Sequence, residues 1–82
     1  MKRHLSKKYR VFKKILGTID ENDIVRLKKN WSFGFHTLEK GDRLLVLSRK
    51  IWDKETFCYC LRYRYCYPIE KKYLEVIGWV SK

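Results

Sequence analysis

The sequence predicts a mainly β fold, a small barrel of about five strands preceded by a basic amphipathic α-helix. Three observations lead to this prediction: helical spacing of apolar residues near the start, alternating patterns over most of the remainder, and turn residues between the alternating segments. The 82 residues are 45% hydrophobic and 16% aromatic, which is enough for one dense core. We therefore expect a basic helix or arm over residues 1–19 and a small β-barrel over residues 20–82.

The predicted helix begins after Ser6 and ends at Leu16. Ser6 is suited to cap the first turn and Gly17 the last turn. Two lysines lie in the last turn, where the helix dipole stabilises positive charge. Its apolar residues recur at spacings of four, three and four, namely Leu5, Tyr9, Phe12 and Leu16. We expect this stripe to pack on the barrel. The alternative is a basic amphipathic helix that lies on a membrane surface.

Alternating and continuous apolar patterns locate the strands. In chain order they predict a half-buried strand (24–31), an aromatic loop or irregular hairpin (31–38), a turn (40–42), a central strand buried on both faces (43–52), one long alternating strand (55–67), a 3₁₀ turn (69–72) and a closing strand (73–80). In the long strand the aromatic residues share one parity, and the cysteines and arginines share the other. Pro68 is expected to end it, because proline cannot donate to the ladder.

The basic excess indicates the class of partner. The net charge is +11, from 20 Lys and Arg against 9 Asp and Glu, and no acid precedes Asp20. Such an imbalance favours polyanions, so nucleic acid is the first expected partner and an acidic protein the second. The residues predicted to contact nucleic acid are Lys7, Lys8, Arg10, Lys13, Lys14, Arg26, Lys28, Lys29, Arg62 and Arg64.

Aromatic residues form the second group of candidates. Trp31, Phe33 and Phe35 lie in the predicted loop, where binding residues concentrate, and Trp52 is at the end of the predicted central strand. They are expected to form a protein-binding or base-stacking surface, or alternatively to plug one end of the barrel.

Two stretches resemble a known fold family. Glu39–Leu47 (EKGDRLLVL) is similar to the turn and second strand of Src-homology-3-like and KOW-like small β-barrels. Tyr67–Pro68 followed by Tyr73–Ile77 resembles the 3₁₀ turn and last strand of the same fold, so the resemblance covers about residues 39–77. It implies the barrel. It does not imply a proline-rich ligand, because the first strand lacks the ALYDY motif and the loop after it lacks acids before Glu39.

Catalysis, metals and cofactors are not predicted. Three cysteines strung along one extended strand cannot converge on a zinc ion, so Cys58, Cys60 and Cys66 are expected to be packing residues. His4 and His36 belong to no catalytic set, and no glycine-rich phosphate loop is present. With no signal peptide and no transmembrane segment expected, the predicted location is the cytoplasm.

Two functions follow. The first is a small binding protein that engages DNA or RNA through phosphate contacts with little sequence specificity. The alternative is a phage-type accessory protein that binds and modulates an acidic surface of a host protein or ribosome. A bacteriophage origin, and hence the host cytoplasm, is suggested by a composition without Ala or Gln and rich in Lys, Tyr, Ile and Leu.

Overall fold

A computed structural model of the chain describes residues 2–49 and 55–81. The fold is mainly β with one N-terminal helix, as predicted. Its elements are β1 (Lys2–Leu5), α1 (Lys7–Leu16), β2 (Asp23–Leu27), β3 (Trp31–Phe33), β4 (His36–Leu38), β5 (Arg43–Arg49), β6 (Glu55–Cys60), β7 (Tyr65–Glu70), a 3₁₀ turn (Lys71–Tyr73) and β8 (Leu74–Ser81). No helix within the described ranges is long and apolar enough to cross a membrane.

Six strands form one antiparallel sheet, in the order β1-β8-β2-β5-β6-β7, and β3 and β4 form a separate hairpin. The five strands from β8 to β7 all send residues into one core, together with Leu38 of β4. The core residues are Val25, Leu27, Leu38, Leu44, Val46, Cys58, Cys60, Tyr67, Ile69, Leu74 and Val76. A flat sheet would leave such a face open, so burial on this scale requires the sheet to curl around it.

The curled sheet is open, and the predicted closed barrel of about five strands is not observed. Closure would require β7 to pair with the edge of β8 that faces away from β2. Over Gly78–Ser81 that edge is already paired with Lys2–Leu5 of β1. Within the described residues, β1 and β7 are therefore the two edges of the sheet.

Strand β1 was not predicted, and a glycine makes room for it. Leu5 pairs with Gly78, and a Cβ atom at position 78 would lie 2.0 Å from the carbonyl oxygen of His4. The His4 ring then stacks on Trp79 at 4.6 Å between centroids. Residues 1–19, predicted as a basic arm, thus contribute a strand to the sheet.

The helix has the predicted bounds and caps, but of its predicted apolar stripe only Tyr9 packs on the sheet, while Leu5, Phe12 and Leu16 are exposed. The Ser6 hydroxyl accepts from the Tyr9 N–H at 3.3 Å, and Gly17 ends the helix with a φ of 69°. The side that faces the sheet carries Tyr9 and Lys13, whose side chain is only 5% exposed. The reason is electrostatic: the Lys13 ammonium lies 2.5 Å from Asp20 and 3.0 Å from Asp23, and Tyr9 donates to Asp23 at 2.5 Å. The aliphatic residues and Phe12 of α1 consequently face solvent.

The segment predicted as one long strand over residues 55–67 is a hairpin, so that prediction is wrong. Strands β6 and β7 pair antiparallel around a turn at residues 61–64, in which Arg64 has a φ of 51°. The turn reverses the parity, so that Tyr67 faces the core beside Cys58 while Cys66 pairs with Tyr59. Pro68 lies inside β7 and not at its end, and an edge strand tolerates a residue that cannot donate.

The other sequence predictions differ from the structure in smaller ways. Strand β5 is central, between β2 and β6, but alternates between buried Val46 and exposed Leu47 and so is not buried on both faces. The aromatic segment forms the hairpin β3–β4 around Gly34, whose φ is 59°. The 3₁₀ turn is present, although it begins two residues later than predicted.

Candidate functional site

The predicted phosphate-binding residues do not form one continuous patch. Some lie around a cleft between α1 and the sheet, others lie in the β6–β7 turn, and Lys7 and Lys8 lie on the exposed side of α1. Lys13 does not belong with any of these groups, because it is buried against two carboxylates.

The basic cleft has a volume of about 440 Å³ and lies between α1, the end of β2, the 3₁₀ turn and β8. Backbone pairing brings these elements together: the Lys28 N–H donates to the Tyr73 carbonyl oxygen at 2.8 Å. The charged residues around the cleft, apart from the buried Lys13, are Arg10, Lys14, Lys28, Lys71, Lys72 and Glu75. Lys71 and Lys72 were absent from the predicted set. The sequence did show that the 3₁₀ segment is charged, but only the fold shows that this segment lies beside α1 and the end of β2.

Glu75 is the one acid lining the basic cleft, and arginine occupies both of its oxygens. Arg26 donates to one oxygen at 3.0 Å and Arg10 donates to the other. Burial alone would raise the pKa of the Glu75 carboxyl, but the two arginines outweigh it and the pKa is lowered. Glu75 is therefore ionised at neutral pH, and its charge is neutralised by Arg10 and Arg26.

Three ammonium groups of the basic cleft have no such neutralising partner. Among residues 2–49 and 55–81, Lys14, Lys28 and Lys71 form no ion pair, whereas Lys72 lies 3.3 Å from Glu70. Lys29, the next residue after Lys28, lies 4.0 Å from the centroid of the Tyr73 ring, in the geometry of a cation–π contact. The cleft therefore keeps a net positive charge that is available to an anion.

Lys13 organises the helix and is not available to a phosphate. Burial lowers the pKa of its ammonium group, but the hydrogen bonds to Asp20 and Asp23 more than compensate, so the pKa is raised. A charged side chain held in this way cannot reach a ligand without breaking both ion pairs.

A second surface, which we name the aromatic face, consists of the exposed rings of Phe33, Phe35, Tyr63 and Tyr65 on two neighbouring hairpins. Phe35 is fully exposed beside the Gly34 turn. The face is held from beneath: Phe33 stacks on Trp31 at 5.9 Å and lies 6.3 Å from Tyr65. The predicted stacking residues Phe33 and Phe35 are thus exposed.

The remaining aromatic residues near this face have other positions. Trp31 is half-buried and packs edge-on against Tyr67 at 5.5 Å, so it supports the face. His36 stacks on Tyr63 at 5.0 Å and is hydrogen-bonded to the Tyr67 hydroxyl. Trp52 lies outside the described residues.

The two arginines of the β6–β7 turn differ in how many contacts their side chains form with the protein. Arg62 donates to Asp42 at 3.0 Å and to the Thr37 carbonyl oxygen at 3.2 Å, with its guanidinium 4.7 Å from the Tyr63 ring. Arg64 is exposed and forms no ion pair within the described part of the chain. Its positive φ is unusual for a residue with a side chain and stores a local strain.

The cysteines are free thiols, with Cys58 and Cys60 buried in the core. Burial raises the pKa of the Cys58 thiol to about 12, which makes it a poor nucleophile. The described residues contain no cluster of three or more His, Cys, Asp or Glu able to hold a metal ion.

Comparison of the chain with protein-family models, with curated proteins and with solved structures found no match. What the basic cleft and the aromatic face do must therefore be inferred from their own chemistry.

Proposed function

We propose that this protein binds single-stranded nucleic acid, with backbone phosphates in the basic cleft and bases stacked on the aromatic face. The observation that carries the proposal is the group formed by Lys14, Lys28 and Lys71, three ammonium groups around one cleft without an ion-pair partner among the described residues. Unpaired cations gathered at one place repel one another, and a polyanion relieves that repulsion.

The aromatic face supports single strands over duplexes. Rings such as Phe33 and Phe35 offer stacking platforms that only unpaired bases can occupy, and Arg64 stands beside Tyr63 and Tyr65 in the adjacent turn. The longest dimension of the molecule is 35 Å. A strand of roughly 4–16 nucleotides, the range covered by small single-strand-binding barrels, is long enough to reach both surfaces.

Low sequence specificity follows from the kinds of contact. Phosphate contacts fix position without reading bases, and stacking accepts every base because each has a π-face. The expected behaviour is affinity that depends on salt and strand length more than on sequence.

Fluorescence anisotropy with a labelled oligothymidine and an oligouridine tests the phosphate contacts. The triple variant Lys14→Met, Lys28→Met and Lys71→Met should reduce the slope of log affinity against log salt by roughly 2, at about 0.7 for each single-strand phosphate that the protein no longer neutralises. The control is Lys40→Met, an exposed turn lysine outside the cleft, which should leave the slope nearly unchanged.

The aromatic face is tested with Phe35→Ser. This variant should weaken single-strand binding by roughly fivefold to a hundredfold, the effect of removing one stacked base, while the salt slope stays the same. Failure of the parent protein to bind either oligonucleotide at about 50 mM salt would refute the proposal. Capture of the same lysate proteins before and after nuclease treatment would support the alternative, an acidic host-protein partner.

We also infer that the curled sheet belongs with the Src-homology-3-like small barrels. The support is a meander of β2, β5, β6 and β7, after which β8 returns to pair with β2, together with the 3₁₀ turn before β8. The Lys40–Gly41 turn ahead of β5 adds to it, with a φ of 95° at Gly41.

A further inference from the structure

The outer side of α1 is apolar and uncovered. Val11, Phe12, Ile15 and Leu16 are between 53% and 80% exposed, on a helix whose only buried residue is Lys13. They are neighbours three and four positions apart, so they form one continuous face and not isolated side chains. We name them the helix face. Contiguous apolar surface of this kind on a small protein marks an interaction site.

The cations around the helix face indicate what covers it. Lys7 and Lys14 lie one turn before and one turn after Val11, and Lys8 lies one turn before Phe12, all exposed. None of the three forms an ion pair within the described chain, and α1 contains no acid. The partner must therefore offer negative charge and an apolar layer together.

The same combination of apolar and cationic residues occurs again on the sheet, next to the start of α1. Leu5, which precedes the helix cap, lines an apolar cleft of about 410 Å³. The cleft has three cationic residues and no acidic one; its lining is Lys2, Arg3, Leu5, Ile24, Arg43, Leu44, Leu45, Tyr59, Leu61 and Val80. An apolar and basic surface is thus present on the sheet as well as on α1.

We propose that the helix face docks on an anionic lipid surface, a second function whose apolar contacts lie outside the basic cleft, while Lys14 borders both surfaces. At a bilayer interface Val11, Phe12, Ile15 and Leu16 enter the acyl boundary while the lysines extend to the headgroup phosphates. The position of Lys8 favours a lipid surface over an apolar groove on a partner protein. In such a groove the Lys8 ammonium would lie near the centre of the interface and lose its water, and lysine is depleted at the centres of protein interfaces. A second copy of this chain is disfavoured because the two faces would bring their lysines together.

Sedimentation with vesicles tests the proposal. The chain should bind vesicles of phosphatidylglycerol and phosphatidylcholine but not phosphatidylcholine alone, and part of the binding should persist at about 0.5 M salt, where screening removes a purely electrostatic contact. The double variant Phe12→Ser and Ile15→Ser keeps every charge and should bind the anionic vesicles at least about tenfold more weakly. Both side chains are exposed, so circular dichroism and thermal unfolding should match the parent.

Two controls make the result specific. Phe35→Ser removes an exposed aromatic ring from the β3–β4 turn and should leave vesicle binding intact, while the double variant should keep the parent's affinity for oligothymidine. Equal vesicle binding by the parent and the double variant would overturn the proposal, as would no binding at all. A dimer in sedimentation velocity that the double variant dissociates would overturn it in favour of a second copy.

Discussion

The buried ammonium of Lys13 gives the sharpest test of the fold, through the substitution Lys13→Met. Methionine matches the length of the lysine stem but removes the charge that faces Asp20 and Asp23. Asp20 is half exposed, so its ion pair contributes at most about 1 kcal/mol. Asp23 is 2% exposed, and the substitution leaves its carboxylate buried without a cation.

The expected destabilisation is therefore set by Asp23. Removing one partner of a buried ion pair costs about 3–5 kcal/mol. A domain of 82 residues has a total stability of about 4–12 kcal/mol, at 0.05–0.15 kcal/mol per residue. The variant should lose about a quarter or more of the free energy of unfolding. The hydrogen bonds that Asp23 keeps, from the Tyr9 hydroxyl at 2.5 Å and the Asp20 N–H at 2.9 Å, place the loss nearer the lower figure.

Urea unfolding followed by tryptophan fluorescence measures this loss, because Trp79 lies 4.5 Å from the Tyr9 ring at the same junction. Lys14→Met is the matched control: it removes the same charge from the same turn of α1 and should change stability by no more than about 0.5 kcal/mol. Adding Asp23→Asn to Lys13→Met should recover part of the loss. Equal stability of the two single variants would refute the buried ion pair and return Lys13 to the candidate phosphate-binding residues.

Three further predictions concern other features. Burial and the hydrogen bond to Asp23 raise the pKa of Tyr9 from 10.0 to about 12. The stability that the neutral hydroxyl contributes is therefore complete below pH 10 and should be lost as the pH rises from 10 to 12. Over that range the unfolding temperature Tm should fall less steeply for Tyr9→Phe than for the parent. Gly78→Ala should displace β1, because the new Cβ would lie 2.0 Å from a backbone oxygen; amide exchange in residues 2–5 should accelerate, and unchanged protection would contradict that close approach. Arg64→Gly should stabilise the protein by about 1 kcal/mol in urea, by relieving the positive φ, while weakening oligonucleotide binding; a loss of stability would argue against the strain.

Local signals were enough to predict the helix and the approximate positions of β2, β5 and β8. Ser6 and Gly17 set the bounds of α1 because capping depends on residues next to the helix. The β6–β7 hairpin was missed for the same local reason. Its turn contains no Gly, Asn, Asp or Pro, and Arg64 takes the left-handed conformation that glycine or asparagine usually adopts. The alternating pattern therefore ran through the turn unbroken.

The candidate site depended on interactions that no local pattern contains. Lys13 and Lys14 are adjacent and chemically identical, and only the position of Asp23 decides that Lys13 is buried. Lys28 and Lys71 are far apart in sequence and meet because β2 ends beside the 3₁₀ turn. The position of Asp23 also determines which side of α1 faces solvent. Its ion pair with Lys13 turns the side that carries Lys13 toward the sheet and leaves most of the apolar stripe exposed.

An open sheet leaves two strands whose outer backbone groups can recruit a strand from another molecule, the first step of edge-to-edge aggregation. Here each edge carries a deterrent. β1 begins with exposed Lys2 and Arg3, which repel a second copy, and β7 contains Pro68, which interrupts a continuous row of donors. Both edges of the unclosed sheet therefore carry residues that oppose the addition of a strand from another molecule.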